Sequence, residues 1–257
     1  MNDLQERILQ ANIDEHEKEA DYYDIIHTEI FNRYEQDRII RSLCTIMQPY
    51  PHKSSILDVG CGTGNITIKL IDMNYTNITS LDLSPAMINQ LKKKLTGRSP
   101  ELLIRDLDTH LETSQDRYTV IIMSSVLHHL PNYLSSLTTL SERLCRGGTL
   151  YITHEPIPPE NETILTRILL NTDYLYHLLR YSLLIITGKL VYLNRDCTYS
   201  DYHTGEHSID PGAIENIFEG DTLTLRKYAT AKSGYIARLL NHLRYVNSFE
   251  LSITRKH

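Results

Sequence analysis

The feature that most constrains the fold is a glycine-rich segment at residues 56–65, which reads Ile-Leu-Asp-Val-Gly-Cys-Gly-Thr-Gly-Asn. Its apolar start is typical of the end of a buried strand, and the apolar residues that follow it are typical of a helix. Glycine allows positive φ angles and lets a ligand approach the backbone without meeting a Cβ atom. The N-terminus of a helix adds unpaired N–H groups and a positive dipole. The segment therefore predicts a strand–loop–helix unit that holds a nucleotide-like ligand at one edge of a parallel sheet.

The details of this segment separate two kinds of ligand. A dinucleotide fingerprint reads G-x-G-x-x-G/A, but the third glycine here, Gly64, comes one position early. Asp58 lies two residues before Gly60, where a carboxylate suits the ammonium group of a bound amino acid better than a pyrophosphate. Asp82 ends the next predicted strand, and its carboxylate can accept both hydroxyls of a ribose. A glycine turn without a ligand is the alternative, and the separation of loop and acid argues against it.

This pattern resembles the first motif, D-x-G-x-G-x-G, of the class I S-adenosylmethionine (SAM) dependent methyltransferases, in particular the small-molecule enzymes of type 11/12. The resemblance covers residues 55–155 well and the two ends loosely. It implies an α/β fold with a doubly wound, Rossmann-like sheet of seven strands in the order 3-2-1-4-5-7-6, the last strand antiparallel. It also implies SAM as the cofactor. The cofactor-binding residues that it indicates are Asp58, Gly60, Gly62, Gly64, Asp82, Leu83, Met87, Asp106, Leu107, Ser124 and Tyr22.

The resemblance gives three carboxylates separate roles. Asp58 is expected to face the methionine ammonium group, directly or through water. Asp82 is expected to hold the ribose hydroxyls, and Asp106 to accept from the exocyclic amine of adenine. Leu83 and Met87 are expected to pack against the adenine ring. Capping of the next helix is the alternative role for Asp106.

Candidate catalytic residues follow predicted strands four and five. Residues 124–130 read Ser-Ser-Val-Leu-His-His-Leu, which resembles a V-L-H-H-L segment of many small-molecule methyltransferases. That segment would place Ser124 as a backbone contact to the cofactor and a histidine beside the acceptor. Imidazole titrates near neutral pH, so His128, slightly favoured over His129, can act as a base. Packing and capping of the following short helix are the alternative roles for both histidines.

A third candidate histidine, His154, ends predicted strand five next to Glu155. As a pair they could hold or deprotonate an acceptor, and a hydrogen bond to the insertion is the alternative. His203 and His207 fall in a polar segment nearby. Gly205 between them favours a loop over a shared helical face, so no metal site is expected.

The rest of the chain is predicted to form a lid and an insertion around this core. Residues 1–50 predict an N-terminal helical lid, with helices at 3–20 and 25–48 and with Tyr22, Tyr23, His27 and Arg33 as candidate ligand contacts. Residues 51–257 predict the SAM-binding domain. Residues 156–205 predict a helical insertion after strand five, with helices at 161–170 and 173–186. The strands are expected at 55–59, 78–82, 101–105, 118–124, 149–153, 222–227 and 249–254.

Composition restricts the partners. A net charge of −6 with 23% charged residues makes the chain a poor partner for nucleic acid. The four cysteines show no C-x-x-C spacing, so neither a zinc site nor a disulfide framework is indicated, and a cytoplasmic location is expected. The longest apolar stretch, at 178–193, is interrupted by polar residues and falls short of the roughly 20 residues of a transmembrane segment.

A small-molecule acceptor, methylated on an O or N atom, is therefore predicted. The N-P-P-Y or D-P-P-Y tetrapeptide that follows strand four in enzymes acting on planar amide or adenine nitrogens is absent. Apolar side chains of the insertion are expected to roof an apolar pocket, although a lipid-like acceptor or a homodimer interface would explain the same residues. A SAM-binding protein without turnover and an NAD-dependent dehydrogenase are the alternative functions. The apolar residues concerned are Leu165, Ile168, Leu169, Leu178, Leu179, Leu183, Leu184 and Ile185.

Overall fold

The computed structural model describes residues 3–97, 100–191 and 208–256. Its centre is one sheet whose strands are β1 (Ile56–Val59), β2 (Ile78–Asp82), β3 (Glu101–Ile104), β4 (Tyr118–Ser124), β5 (Leu144–Glu160), β6 (Thr222–Tyr228) and β7 (Val246–Thr254). The strand order is β3-β2-β1-β4-β5-β7-β6. Strands β1 to β5 pair in parallel, and β7 runs antiparallel to both β5 and β6. The predicted sheet order and the direction of its last strand are confirmed.

The helices of the described residues alternate with these strands after an N-terminal helical segment. A 3-10 turn at Leu127–His129 follows β4. The α-helices are α1 (Asp3–Glu19), α2 (Tyr23–Ile26), α3 (Thr28–Phe31), α4 (Arg33–Met47), α5 (Asn65–Asp72), α6 (Pro85–Lys94), α7 (Leu107–Thr113), α8 (Tyr133–Glu142), α9 (Ile164–Ile186), α10 (Pro211–Ile217) and α11 (Gly234–His242).

The core lies on both faces of the sheet. Strand β1 is buried along its whole length, as expected for a central parallel strand that helices cover on both sides. Successive side chains point to opposite faces, so Ile56 packs in a cluster with residues of α4 and α5, whereas Leu57 packs with residues of α8 and α10. This arrangement leaves the carboxyl ends of the central strands as the edge where a ligand can enter.

The N-terminal segment is more divided than its periodicity predicts. The predicted helix at 25–48 is three helices, because the chain turns at His27 and is extended at Asn32. The Asn32 side chain accepts a hydrogen bond from the Glu35 backbone N–H and so caps α4. These breaks let α2 and α3 change direction before α4 packs against the sheet.

The segment after β4 also differs from the prediction. Strand β5 extends well beyond the predicted 149–153, and its pairing with β7 shifts register between Thr153 and Glu155. The two helices predicted at 161–170 and 173–186 form the single helix α9. Asp173 does not interrupt it, because its buried carboxylate accepts hydrogen bonds from the backbone of Lys232 and Ser233. Among the described residues, no helix is both long and apolar enough to cross a membrane.

Candidate active site

The glycine loop forms a tight turn between β1 and α5. The φ angles of Gly60, Gly62 and Gly64 are 62°, 52° and 96°. Residues other than glycine rarely occupy this region. A Cβ atom on Gly60 would lie 2.5 Å from Val126, and one on Gly64 would lie 2.3 Å from Leu91. A Cβ atom on Gly62 would meet nothing within 4 Å. Two of the glycines therefore allow close packing, and Gly62 keeps backbone open to a ligand.

Asp82 fixes this loop from the neighbouring strand. Its Oδ2 accepts a hydrogen bond of 2.7 Å from the Gly62 N–H, and its Oδ1 accepts one of 2.8 Å from the Ser84 N–H. Burial raises the pKa of Asp82. Because each carboxylate oxygen can accept more than one hydrogen bond, the side chain can hold the loop and still receive a ligand hydroxyl.

A cavity of about 120 Å³, called the loop cavity below, opens between this loop and the N-terminal helices. Most of the predicted cofactor-binding residues line it. Those lining it are Gly60, Gly62, Asp82, Leu83, Met87, Asp106, Leu107 and Ser124. The structure thus brings together residues from the carboxyl ends of β1, β2, β3 and β4.

Three predicted contacts lie outside the lining of this cavity. Gly64 is the N-cap residue of α5. Tyr22 precedes α2 but does not line this cavity, whereas Tyr23, which was also a candidate ligand contact, does line it. Asp58 is fully buried, and its Oδ2 accepts a hydrogen bond from the Thr67 hydroxyl. In this arrangement its carboxylate does not reach the cavity, so direct contact with a ligand is not supported.

The environment of Asp58 is unusual for a carboxylate. Its Oδ1 is buried and has no hydrogen-bond partner among the described residues. Burial raises its pKa to about 7, and the hydrogen bond from Thr67 opposes this shift only in part. The side chain therefore titrates near neutral pH in the folded protein.

Asp106 caps a helix and also lines the loop cavity. Its Oδ1 accepts a hydrogen bond of 2.9 Å from the Thr109 N–H and so caps α7. The same residue lines the loop cavity next to Leu107. Capping fixes the orientation of the Asp106 carboxyl group at the carboxyl end of β3. The group can still accept a hydrogen bond from a ligand.

The N-terminal helices close over the loop cavity. Asn12 donates a hydrogen bond of 3.1 Å to the carbonyl oxygen of His129. Asp24 accepts a hydrogen bond from the Thr63 hydroxyl in the glycine loop and forms an ion pair with Lys94 on α6. These contacts hold α1 and α2 across the edge of the sheet where the central strands end.

A second cavity, of about 340 Å³, adjoins the first and is called the histidine cavity below. The two cavities share part of their lining, namely His16, Tyr23, Ser125 and His129. The other histidines of the second cavity are His27, His128 and His154, and its carboxylates are Glu15, Glu19 and Glu29.

His128 is held by Glu155. Its Nδ1 lies 2.8 Å from Glu155 Oε2, and Glu155 Oε1 also accepts from the backbone N–H groups of Val126 and Leu127. A carboxylate oxygen only accepts hydrogen bonds, so Nδ1 carries the proton and Nε2 is the ring nitrogen that can accept one. This geometry suits a general base that a fully buried carboxylate orients.

His154 pairs elsewhere, which corrects the predicted His154–Glu155 pair. His154 has a positive φ of 59° at the register shift of β5, and its Nδ1 lies 2.9 Å from Glu35 Oε1 on α4. Burial alone would raise the pKa of Glu35, but His154 and Arg38 outweigh it and lower that pKa to about 2. Adjacent residues of a strand point in different directions, so each member of the predicted pair has a distant partner.

His27 is the centre of a third histidine–carboxylate contact. Its Nε2 lies 2.9 Å from Glu19 and its Nδ1 lies 3.0 Å from Glu29. Burial alone would lower the pKa of His27, but the two carboxylates outweigh it and raise that pKa to about 9. His27 is therefore an imidazolium cation at neutral pH.

The described helix of the insertion, α9, contributes no residue to the lining of either cavity, so the predicted apolar roof is not found there. Side chains of α9 that were expected to cover an apolar pocket are exposed instead, for example Leu179 at 63% and Leu183 at 60%. Arg33 is exposed as well. The part of the chain that the structure describes contains no group of three or more His, Cys, Asp or Glu residues that could hold a metal ion. His203 and His207 lie outside the described residues.

Sequence reasoning missed the contribution of α1. Its Glu15, His16 and Glu19 line the histidine cavity, and its Asn12 and His16 line the loop cavity. These residues are spaced three and four apart and so share one face of the helix. That polar periodicity was the signal available in the sequence.

Comparisons with known proteins agree with this geometry. Residues 57–150 match the family model described as "Methyltransferase domain". The reducing polyketide synthase Preu2 of Preussia isomera is 32% identical over 122 residues, which are 45% of this chain and 5% of the synthase. Malonyl-(acyl-carrier protein) O-methyltransferase of Paenibacillus sp. (strain JDR-2) is 30% identical over 103 residues, which are 38% of this chain and 37% of that enzyme. The matches therefore span well under half of both relatives.

The fold is also similar to that of solved structures. The plantazolicin methyltransferase BpumL, solved in complex with SAH, superposes with a TM-score of 0.56 and 15% sequence identity, covering 99% of this chain and all of that one. At this identity the likeness concerns the fold alone. Residues 57–150 therefore match a methyltransferase domain, and the chain shares its fold with a structure of a methyltransferase solved with SAH.

Proposed function

We propose that the protein transfers a methyl group from SAM to an O or N atom of a small polar molecule. The loop cavity fits the cofactor, since it combines an open glycine backbone at Gly62 with the carboxylates of Asp82 and Asp106. The histidine cavity fits the acceptor. The observation that carries the proposal is the shared lining of the two cavities, because methyl transfer requires two ligands that meet.

The polar lining of the histidine cavity supports a polar acceptor. Apolar side chains contribute little to it, and the exposed apolar residues of α9 do not reach it. We therefore infer the acceptor class from the lining residues that the N-terminal helices and the segments after β4 and β5 supply.

Bound SAM supplies a methyl group on a positively charged sulfur. The chain must then orient the acceptor, exclude water and remove a proton. The N-terminal helices would exclude water, since they cover both cavities. His128 would take the proton on Nε2, with Glu155 stabilising the imidazolium that forms. His129, which lines both cavities, would help to position the acceptor at their boundary.

The experiment is transfer of label from methyl-labelled SAM to a protein-free extract of small molecules, together with calorimetry of S-adenosylhomocysteine (SAH) binding. We expect labelled products, and His128→Gln should lower turnover about 100-fold or more with SAH affinity unchanged. SAH binding without any labelled product would favour the binding protein without turnover. Normal turnover of His128→Gln would transfer the role of base to His129, His154 or no side chain.

An NAD-dependent dehydrogenase is less consistent with the fold. The dinucleotide-binding fold has the strand order 3-2-1-4-5-6, whereas here an antiparallel β7 lies between β5 and β6. Thermal stabilisation by NAD but not by SAH would reverse this conclusion.

A further inference from the structure

His154 is an extra residue in strand β5. The pairing of β5 with β7 skips it, because Thr153 and Glu155 oppose consecutive residues of β7. Its φ angle of 59° lies in the left-handed region, which residues other than glycine seldom adopt. Bulges of this kind redirect a side chain and are common next to active sites. Here the bulge accompanies a buried side chain that lines the histidine cavity.

Buried contacts hold His154 at its backbone and at its ring. Its backbone N–H donates to the Tyr228 hydroxyl over 3.1 Å, and its Nδ1 lies 2.9 Å from Glu35 Oε1. Arg38 connects these two partners. Its guanidinium carbon lies 4.0 Å from the centre of the Tyr228 ring, and its Nε donates to both oxygens of Glu35 over 2.9 and 3.0 Å. Residues of α4 and β6 therefore fix the position of the imidazole.

Glu35 determines which nitrogen of His154 is left for a ligand. Burial alone would raise the pKa of Glu35, but His154 and Arg38 lower it to about 2, so this side chain is an ionised carboxylate. A carboxylate oxygen only accepts hydrogen bonds, and Nδ1 of His154 therefore carries a proton. Among the described residues, the hydrogen bonds of this ring involve Nδ1 alone. Nε2 is thus the ring nitrogen that can bind a ligand in the histidine cavity.

The buried network behind His154 is balanced in charge. Arg38 pairs with Glu35 and also with Glu250. Glu250 has a second cationic partner in Arg226. Two carboxylates therefore face two guanidinium groups, and the arginines offset the negative charge that would otherwise stabilise an imidazolium.

The pair of His128 and Glu155 differs in this respect. Glu155 accepts from three backbone N–H groups and from the ring of His128. Backbone N–H groups carry no net charge, so the charge of Glu155 remains to stabilise an imidazolium at His128, as removal of a proton requires. The two histidines therefore suit different tasks in the same cavity.

We propose that His154 binds the acceptor through Nε2, at a polar group other than the atom that is methylated, and that Glu35 is the positioning residue for this contact. The inference rests on the proposed methyltransferase function. Since Nδ1 carries the proton, Nε2 accepts a hydrogen bond, and the group that it binds is a hydroxyl or an amine N–H. The acceptor therefore has two polar groups, one held by His154 and one that reacts beside His128.

The division of effects between KM and kcat tests the inference. The acceptor is first isolated as the compound of a protein-free extract that gives labelled product with methyl-labelled SAM and the full chain. His154→Asn removes Nε2, whereas asparagine tolerates a positive φ and its amide can donate to Glu35 in place of Nδ1. It should raise KM for this acceptor about tenfold, with kcat and SAH affinity within about twofold of wild type. Glu35→Gln keeps an oxygen that accepts from Nδ1 and should raise KM less.

His110→Asn is the matched control. His110 is also buried and its Nε2 contacts the Tyr118 hydroxyl, but it lines neither cavity. This variant should leave KM unchanged. An unchanged KM in His154→Asn, a loss of kcat alone, or an equal rise of KM in both variants would overturn the role of His154 and leave methyl transfer intact. Absence of any labelled product would overturn the inference together with the proposed function.

A measurement on the wild-type protein does not depend on the folding of a variant. In isotope-labelled protein with SAH bound, nitrogen resonances of the histidine rings report which nitrogen carries a proton. We expect the proton of His154 on Nδ1, and a shift of its Nε2 resonance when the isolated acceptor is added, whereas His110 should not respond. A His154 ring that does not respond to saturating acceptor would overturn the proposal.

Discussion

At the scale of single residues, Asp82 connects structure and binding most directly. Its two oxygens accept from the backbone of Gly62 in the glycine loop and of Ser84 at the start of α6. The carboxylate therefore fixes the loop conformation before any ligand arrives. A ligand hydroxyl would meet an acceptor that is already oriented, which reduces the entropy lost on binding.

Replacing Asp82 by alanine should weaken SAH binding by roughly 1.5–3 kcal/mol, because the loop N–H and the ligand both lose a charged partner. Asp82→Asn is the matched control, since its one carbonyl oxygen can replace only part of these contacts, and its loss should be smaller. Calorimetry of both variants measures the effect. Unchanged affinity in the alanine variant would place the cofactor away from β2.

The protonation of Asp58 makes a separate prediction about stability. Its folded pKa of about 7 lies above the ordinary value of 3.8, so between these two pH values the folded protein binds more protons than the unfolded chain. Stability then falls as pH rises through this range and levels off above about pH 7. Asp58→Asn removes this dependence and should gain stability relative to wild type between pH 4 and pH 8. Urea unfolding at several pH values tests this, and a difference that is constant with pH would contradict it.

The sequence predicted individual residues where a motif fixes their spacing. Gly60, Gly62 and Asp82 line one cavity, because the strand–loop–helix unit and the next strand determine their positions locally. The partners of His128 and His154 could not be predicted in this way. They depend on a register shift within β5 and on the packing of α4, both of which involve residues far apart in the chain.

At the scale of elements, the contacts of the N-terminal helices decide access to the site. Asp24 joins α2 to both the glycine loop and α6, through Thr63 and Lys94. Asp21 makes more exposed contacts with Gln90 and Lys93 on α6. Asp24 therefore contacts the glycine loop beside the loop cavity, whereas Asp21 contacts the outer surface of α6.

Asp24→Ala should therefore speed release of SAH several-fold. Release requires the N-terminal helices to open, and the variant removes their main polar contact with the glycine loop. Asp21→Ala is the matched control and should change the rate little, since exposed ion pairs contribute about 0–1 kcal/mol. Stopped-flow displacement of SAH compares the two variants. Equal rates in both would show that α2 does not gate the cavity.

Element boundaries show which physical information the sequence lacks. Apolar periodicity located most strands and helices, and the Ser84–Pro85 start of α6 was read correctly from capping chemistry. The breaks at His27 and Asn32 were missed because the apolar pattern continues across them. The continuity of α9 through Asp173 was missed because the partners of this carboxylate come from a distant loop.

At the scale of the whole molecule, the sheet followed from the resemblance to a known family, whereas the histidine cavity did not. The sheet order depends on a repeated βα pattern that the sequence displays. The histidine cavity depends on where α1 and α3 lie relative to β5, which local patterns do not specify. Its polar character therefore became visible only in the structure.

The exposed face of α9 is the last unexplained feature at this scale. Large apolar side chains line it along the full length of the helix, among them Leu175 at 56% exposure and Ile186 at 80%. Seven of the exposed positions of α9 follow a heptad spacing, which is typical of a seam between two helices. The seam consists of Leu165, Ile168, Thr172, Leu175, Leu179, Ser182 and Ile186.

We expect this face to pair with the same face of a second copy, because a two-fold interface brings identical surfaces together and the few charges on α9 do not suit an anionic membrane. Leu179→Glu should weaken the dimer by about 3 kcal/mol or more, since the change occurs once in each subunit. Ile40→Glu is the control, because Ile40 is also exposed but lies on α4. Sedimentation over a range of concentrations measures both variants. If the wild-type protein is monomeric both at its solubility limit and after 100-fold dilution, this face does not mediate dimerisation.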